Sequence, residues 1–293
     1  MVALVTLHRA LRAVVLASGC FAGALGAQGL PSIERITFDV ADAFERGAAV
    51  VGELRIPPST RERLPAVLIV DSSPGFDGRG GFYAEALNRA SIATFEVDMF
   101  QGRGLPATTR HNMPHTYQSL RFLAAHPRID PARIGIMGFS YGGMLALLTS
   151  SEELTREFSP DGRRFAAHLP LYPICWRQRT VLDGTSTTLR PSVYRRVTGT
   201  PVHILAGAKD DYGDPDTCEK FVADLPAEVR PHFDVTVYPG ATFAWDSRFG
   251  SVVYEAGARQ GKGGMVTVVA DADIANRSRD FAVAFFTKHL GAQ

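Results

Sequence analysis

The sequence predicts an α/β protein with a mostly parallel central sheet, helices on both faces and an antiparallel hairpin at the N-terminal end. Three observations lead there. Short continuous apolar runs such as Ala66–Val70 and Ala93–Val97 have the length and composition of strands buried on both faces. Segments of helical character alternate with them, as parallel strands joined by crossovers require. Finally, Gly138-Phe139-Ser140-Tyr141-Gly142-Gly143 stands between the apolar run Arg133–Met137 and the helix-like run Met144–Leu148. That is Gly-x-Ser-x-Gly in a strand-to-helix context.

The elements follow in order. Ile33–Val40 alternates like a strand, and Ala48–Ile56 is its hairpin partner across a turn near Asp42–Gly47. Pro57-Pro58 stops the second strand. Ala66–Val70 runs into Asp71–Gly78, a loop dense in turn formers, and Tyr83–Ala90 is predicted helical. Ala93–Val97 is followed by a loop from Asp98 to Met113, then by a helix over Pro114–Ala125 with proline in its first turn. After the serine motif come a strand at Ala167–Tyr172, a stretch over 176–200 without clear period, a strand at Val202–Ala206 and a helix at Asp216–Leu225. Phe233–Tyr238 reads as the last strand, closed by Pro239-Gly240, and 246–272 reads as irregular. Ile274–Leu290 closes the chain as an amphipathic helix with Phe281, Phe285 and Phe286 on one face.

Length and composition fit one large domain. The 293 residues are 45% hydrophobic and 21% charged, with a net charge of +1 and no charged block. Nothing in that balance calls for nucleic acid or an anionic membrane as partner. Residues 1–27 stand apart. Arg9 and Arg12 precede an apolar stretch from Ala13 to Leu25 that ends in small residues up to Ala27, the pattern of a secretory signal peptide. The stretch is short and rich in Gly and Ala for a membrane span. Residues 28–293 are then the mature domain, periplasmic or secreted. Leu16-Ala17-Ser18-Gly19-Cys20 also has the form of a lipoprotein processing box, with Cys20 as the anchoring residue. Outside that segment only Cys175 and Cys218 remain, an even pair that suggests one disulfide in an oxidising compartment, two buried thiols being the alternative.

A serine wedged into a tight strand-to-helix turn is held in strained backbone, and its hydroxyl projects from the sheet edge. The glycines around it leave room for strand and helix to approach. The Tyr141 N–H then begins a helix and faces any carbonyl that Ser140 attacks.

Several stretches together resemble the dienelactone hydrolase family, within the α/β-hydrolase fold. They are Gly138–Gly143, Asp98–Gly104, Ile129–Gly135, Tyr172–Cys175, Gly207–Tyr212 through Cys218, and Tyr238–Asp246. The resemblance covers nearly all of residues 33–290. It implies hydrolysis of an ester or lactone bond of a small molecule, with no cofactor. It assigns Ser140 as nucleophile and Asp210 as the acid, with Asp211 capping the turn. The N–H groups of Tyr141 and Ser73 would form the oxyanion hole, since Pro74 has no N–H. Arg103 is implied as a contact for an anionic substrate group or as a loop-stabilising arginine. Cysteines at 175 and 218 are frequent in the family, which favours their pairing.

One departure stands out. Where the family motif has its general base, a histidine, this chain has Phe243, with Trp245 two residues on. Phenylalanine cannot take the serine proton, and a serine without a base is a poor nucleophile at neutral pH. His203 and His232 belong to the opposite end of the sheet; at about 3.3 Å per residue His203 lies roughly 20 Å below the edge. His126 and His289 end helices on that far side, and His168 reads as a core residue. His111 and His115 remain, at the correct edge, as candidates for catalysis or substrate contact, or as plain loop and cap residues. They have no third ligand at metal-binding spacing, and no metal site is expected. Three readings follow: an exported ester hydrolase with a displaced or missing base, a binder of a small apolar or ester-like ligand that has lost turnover, and an enzyme of other chemistry in the same pocket. Phe243 and Trp245 would line that pocket in each. The sequence carries no reading of oligomeric state.

Overall fold

The computed structural model describes residues 30–40, 48–99 and 109–291. The signal segment with Cys20, the hairpin turn and Arg103 lie outside the described residues.

The hairpin forms as the alternation requires, with β1 (Ser32–Val40) antiparallel to β2 (Ala48–Ile56). β3 (Leu64–Val70) is buried along its whole length. Leu68 and Val70 point into one core, Val67 and Ile69 into the other, as a strand covered on both faces must. Next come α1 (Arg79–Arg89), β4 (Ala93–Asp98), α2 (Thr109–Ala125), β5 (Ile129–Phe139) and α3 (Tyr141–Leu148). The chain continues through α4 (Glu152–Phe158), β6 (His168–Leu171), α5 (Cys175–Leu182), β7 (Val202–Lys209), α6 (Thr217–Asp224) and β8 (Phe233–Thr242). A separate two-stranded sheet, β9 (Ser251–Glu255) with β10 (Gly264–Val268), brackets the one-turn α7 (Ala258–Gly261), and α8 (Ala272–Leu290) ends the fold.

Among the described residues the main sheet has eight strands in the order β1-β2-β4-β3-β5-β6-β7-β8. Its first three strands pair antiparallel and β3 to β8, with β4, pair parallel. The expected architecture is therefore present. α1 and α8 cover one face through Tyr83, Leu87, Phe285 and Phe286; α2, α3 and α6 cover the other through Tyr117, Leu120, Leu147 and Phe221.

Several boundaries differ from expectation, each for a local reason. α1 starts at Arg79 rather than Tyr83, with Gly80 and Gly81 in its first turn. A Cβ on Gly80 would collide with the Glu96 carboxylate, which accepts the Gly81 N–H. α2 starts at Thr109, so Pro114 lies inside it and costs only one hydrogen bond, near the helix start. β8 runs through Pro239-Gly240 to Thr242 because it is an edge strand, where a missing donor is tolerated. The register with β7 shifts there, and Gly240 takes φ 83°. The stretch 246–272 contains β9 and β10, and α4 and α5 had no clear periodic signal.

Cys175, at the start of α5, is bonded to Cys218 in α6, 43 residues away. By loop-closure entropy such a bridge contributes about 4 kcal/mol. At the other end of the packing scale, a Cβ on Gly142 would fall inside the carbonyl oxygens of Val70 and Asp71. Both belong to backbone in the central strand and cannot yield. Gly142→Ala is expected to destabilise the fold by roughly 2 kcal/mol or more, read as a drop in the urea midpoint; an unchanged midpoint would refute the close approach.

Candidate active site

Ser140 links β5 to α3 at φ 52°, ψ −110°, backbone that a non-glycine residue adopts only under strain. Its N–H donates to Leu171 C=O at 3.0 Å, and its own C=O accepts from Met144 N–H at 2.8 Å. It occupies the N-cap of α3, yet its hydroxyl makes no capping bond. The hydroxyl is thus not spent on the helix, unlike that of Ser151, which caps α4 by accepting from Leu154 N–H. The turn is tight on every side, since a Cβ on Gly138 would meet Gly142 and Val70, and one on Gly143 would meet Leu171.

Strand register places the other predicted residues along the same edge. β3 and β5 pair Val70 with Gly138, so the turn carrying Ser73 stands beside the elbow. That turn is closed by Gly75 N–H donating to Ser72 C=O at 2.8 Å. Tyr141 opens α3, and its hydroxyl donates to Asn112 Oδ1 at 3.1 Å. Asp210 follows β7, where Oδ1 accepts the Tyr212 N–H at 2.9 Å. Burial pushes its carboxyl up to about 7, with Asp211 adding to the shift against that N–H. β7 and β8 pair Lys209 with Thr242, so Asp210 and Phe243 emerge side by side. Asp211 has a structural task, accepting Thr267 N–H at 2.8 Å.

Phe243 is packed, half-buried, between two tyrosines, with ring centroids 4.7 Å from Tyr212 and 5.1 Å from Tyr172. Trp245 is fully buried behind them, 4.8 Å from Tyr172, and its Nε1–H donates to Ser278 Oγ. It supports the edge from below rather than lining an open cleft.

The described histidine side chains sort as their strand positions indicate. His168 is buried, its ring bonded to Thr149 Oγ1, Ala146 C=O and Thr200 Oγ1, and burial lowers it to about 4. His203 bonds Thr236 Oγ1 and lies against Phe281; His126 accepts Arg128 N–H; His289 lies against Phe285. His115 is fully buried on α2. His111 lies in the first turn of that helix, with its side chain outside the described residues. Among the described residues no group of His, Cys, Asp and Glu is placed to hold a metal ion, and no helix is long and apolar enough to cross a membrane.

Sequence reasoning missed a polar network beneath this edge. Arg79 is buried, donating to Ser72 Oγ and, at 2.9 Å, to the Tyr172 hydroxyl, and forming a salt bridge with Asp77. Tyr172 in turn donates to Asp246 Oδ1 at 2.6 Å, and Tyr83 to Asp246 Oδ2 at 2.8 Å. The network ties the turn after β3 to the ends of β6 and β8. Its members come from three distant stretches, residues 72–83, Tyr172 and Asp246. Beside it lies Asp71, fully buried and with no hydrogen bond to either carboxyl oxygen. Burial first, then Glu96, Asp77 and Asp98, push it up to about 9 against the pull of Arg79. A cleft of about 420 Å³ opens from Tyr141 between Met144, Trp176, Arg177 and Thr187.

Eight strands in this order, a strained serine elbow after β5 and a carboxylate after β7 define an α/β-hydrolase. Within that class the dienelactone hydrolase family model matches residues 98–262, more than half of the chain, and the chain belongs to that family. The family places it among hydrolases that act on ester bonds. Solved structures share the fold. A putative dienelactone hydrolase from Klebsiella pneumoniae superposes with a TM-score of 0.60 at 16% identity, covering 88% of this chain and 99% of the other. An esterase from Butyrivibrio proteoclasticus gives 0.57 at 15%, covering 86% and 99%. A dienelactone hydrolase-like promiscuous phosphotriesterase from metagenomic libraries gives 0.62 at 18%, covering 89% and 99%. No curated protein matches by sequence.

Asp71 supplies a pH test. Its folded-state value of about 9 lies above the ordinary 3.8. Between those values the folded chain holds a proton that the unfolded chain has released, so stability falls as pH rises through that window. In Asp71→Asn the fall in melting temperature from pH 5 to pH 8 is expected to be smaller than in the parent; an equal fall would show that Asp71 is not the protonated group.

Proposed function

We propose that this chain is an exported serine hydrolase, its mature domain spanning 28–293, that cleaves an ester or lactone bond of a small molecule through Ser140. The observation that carries the proposal is the strained φ 52°, ψ −110° of Ser140 with its hydroxyl unused by the helix cap. Strain of that kind persists where a function requires it. In this reading the Ser140 hydroxyl adds to the carbonyl carbon, and the N–H groups of Tyr141 and Ser73 receive the oxyanion. Collapse expels the alcohol and leaves an acyl-serine, which water then hydrolyses. Arg103 would meet an anionic group of the substrate, and His111 is the remaining histidine candidate for substrate contact, since His115 is fully buried on α2.

The proton needs a carrier, since Phe243 has none to offer. Asp210, raised to about 7, exchanges a proton at neutral pH and takes that part through an intervening water. Turnover on this route is slow. The packing of Phe243 between Tyr172 and Tyr212 favours a second reading, a hydrolase-fold protein that binds an ester-like or apolar ligand without turnover.

Ser140 should react with a fluorophosphonate probe, and Ser140→Ala should abolish hydrolysis of p-nitrophenyl acetate. The parent rate should rise with pH through about 7, because the base must be ionised, and Asp210→Asn should remove that rise. Unchanged turnover in the alanine variant sinks the nucleophile; no turnover in the parent selects the binding reading. Phe243→His should raise kcat/KM by roughly 100-fold, the lower end of what a general base contributes. No gain in a folded variant would mean that Asp210 does not orient an imidazole.

A further inference from the structure

The small sheet of β9 and β10 is exposed and apolar on one side. Phe249 is 81% exposed, Tyr254 68% and Val252 59%, with Val253, Met265 and Val269 about half exposed. Cross-strand register puts Tyr254 beside Met265 and Val252 beside Thr267 on the outer face, while Val266 is buried on the inner one. Soluble proteins seldom leave so many large apolar side chains together in water.

The backbone adds a second observation. Thr267 N–H donates to Asp211 rather than to β9. Antiparallel ladders alternate, so the pairs 252–267 and 254–265 are the ones that do not exchange hydrogen bonds. The N–H and C=O groups of Val252 and Tyr254 therefore point away from β10, where no described strand follows. Edge strands are ordinarily protected by lysine, proline or a bulge. β9 reads Ser-Val-Val-Tyr-Glu, and its single charge, Glu255, accepts the Tyr212 hydroxyl.

We propose that β9 pairs antiparallel with β9 of a second copy about a two-fold axis through Val253. Val252 of one copy then lies opposite Tyr254 of the other, and the four outward N–H groups of these residues meet four outward carbonyls. The two hairpins become one four-stranded sheet. Side-by-side pairing covers the edge of β9 and the facing flanks of Val252 and Tyr254 and leaves the faces of the widened sheet in water, so the contact is smaller than a standard interface and the dimer forms in a concentration-dependent way. The contact is self-complementary, as a two-fold interface must be.

Sedimentation equilibrium of the full chain should return a mass that rises from that of one chain toward that of two as concentration increases. Tyr254→Arg, at an exposed position, should weaken the dimer at least tenfold. Val252→Pro removes only an outward N–H, leaves the β9–β10 ladder intact and should have the same effect, with melting temperature confirming the fold. Val253→Cys should give an intermolecular disulfide on mild oxidation. A monomer at every concentration, a dimer indifferent to both β9 variants, or a monomer that instead co-sediments with phosphatidylcholine vesicles would overturn the proposal.

Discussion

The close approach of three backbones at the edge that carries Ser140 is the constraint on which the rest depends. Gly142 at the start of α3 lies against the carbonyls that end β3, and Gly138 and Gly143 fill the remaining contacts with β5 and β6. No side chain fits between them. Once the helix is drawn this close to the sheet, Ser140 has to turn through strained backbone at the first turn of α3. The same closeness fixes the turn after β3 beside the elbow. The placement of Ser140 at the first turn of α3 is thus a packing result before it is a chemical one.

Around that fixed point the edge is braced by a charged network as well as by aromatic packing. Arg79 joins the turn after β3 to Tyr172 at the end of β6, and Asp246 gathers Tyr172 and Tyr83 from the other side. Such a network is worth its desolvation only when each group is satisfied, and here Arg79 and Asp246 each have two or more partners. Asp71, alone among these carboxyls in lacking any hydrogen bond, resolves its burial by keeping its proton.

Much of this was legible in the sequence. Continuous apolar runs gave β3 and β4, and alternation gave the hairpin. The glycine pattern located the serine, and strand arithmetic sent His203 and His168 away from the edge. What failed to show was of two kinds. The first turn of α1 and the turn of α2 ahead of Pro114 were not foreseen because local propensity cannot see Glu96 waiting above Gly81, or the packing that holds α2 together through one missing bond. Tertiary partnerships such as Arg79 with Tyr172, 93 residues apart, leave no periodic trace. Trp245 was expected to line the pocket because it follows Phe243 closely, but Ala244 at φ 51° turns the chain between them, and the indole is buried.

The bond from Thr267 N–H to Asp211 also has a thermodynamic meaning. Together with Arg259 and Gln260 N–H groups donating to the carbonyls of Asp211 and Tyr212, it fastens the small sheet to the loop that carries Asp210. Two ligands that both order one shared segment assist each other by equal factors, whichever binds first. A partner that orders the small sheet therefore also orders the loop that carries Asp210.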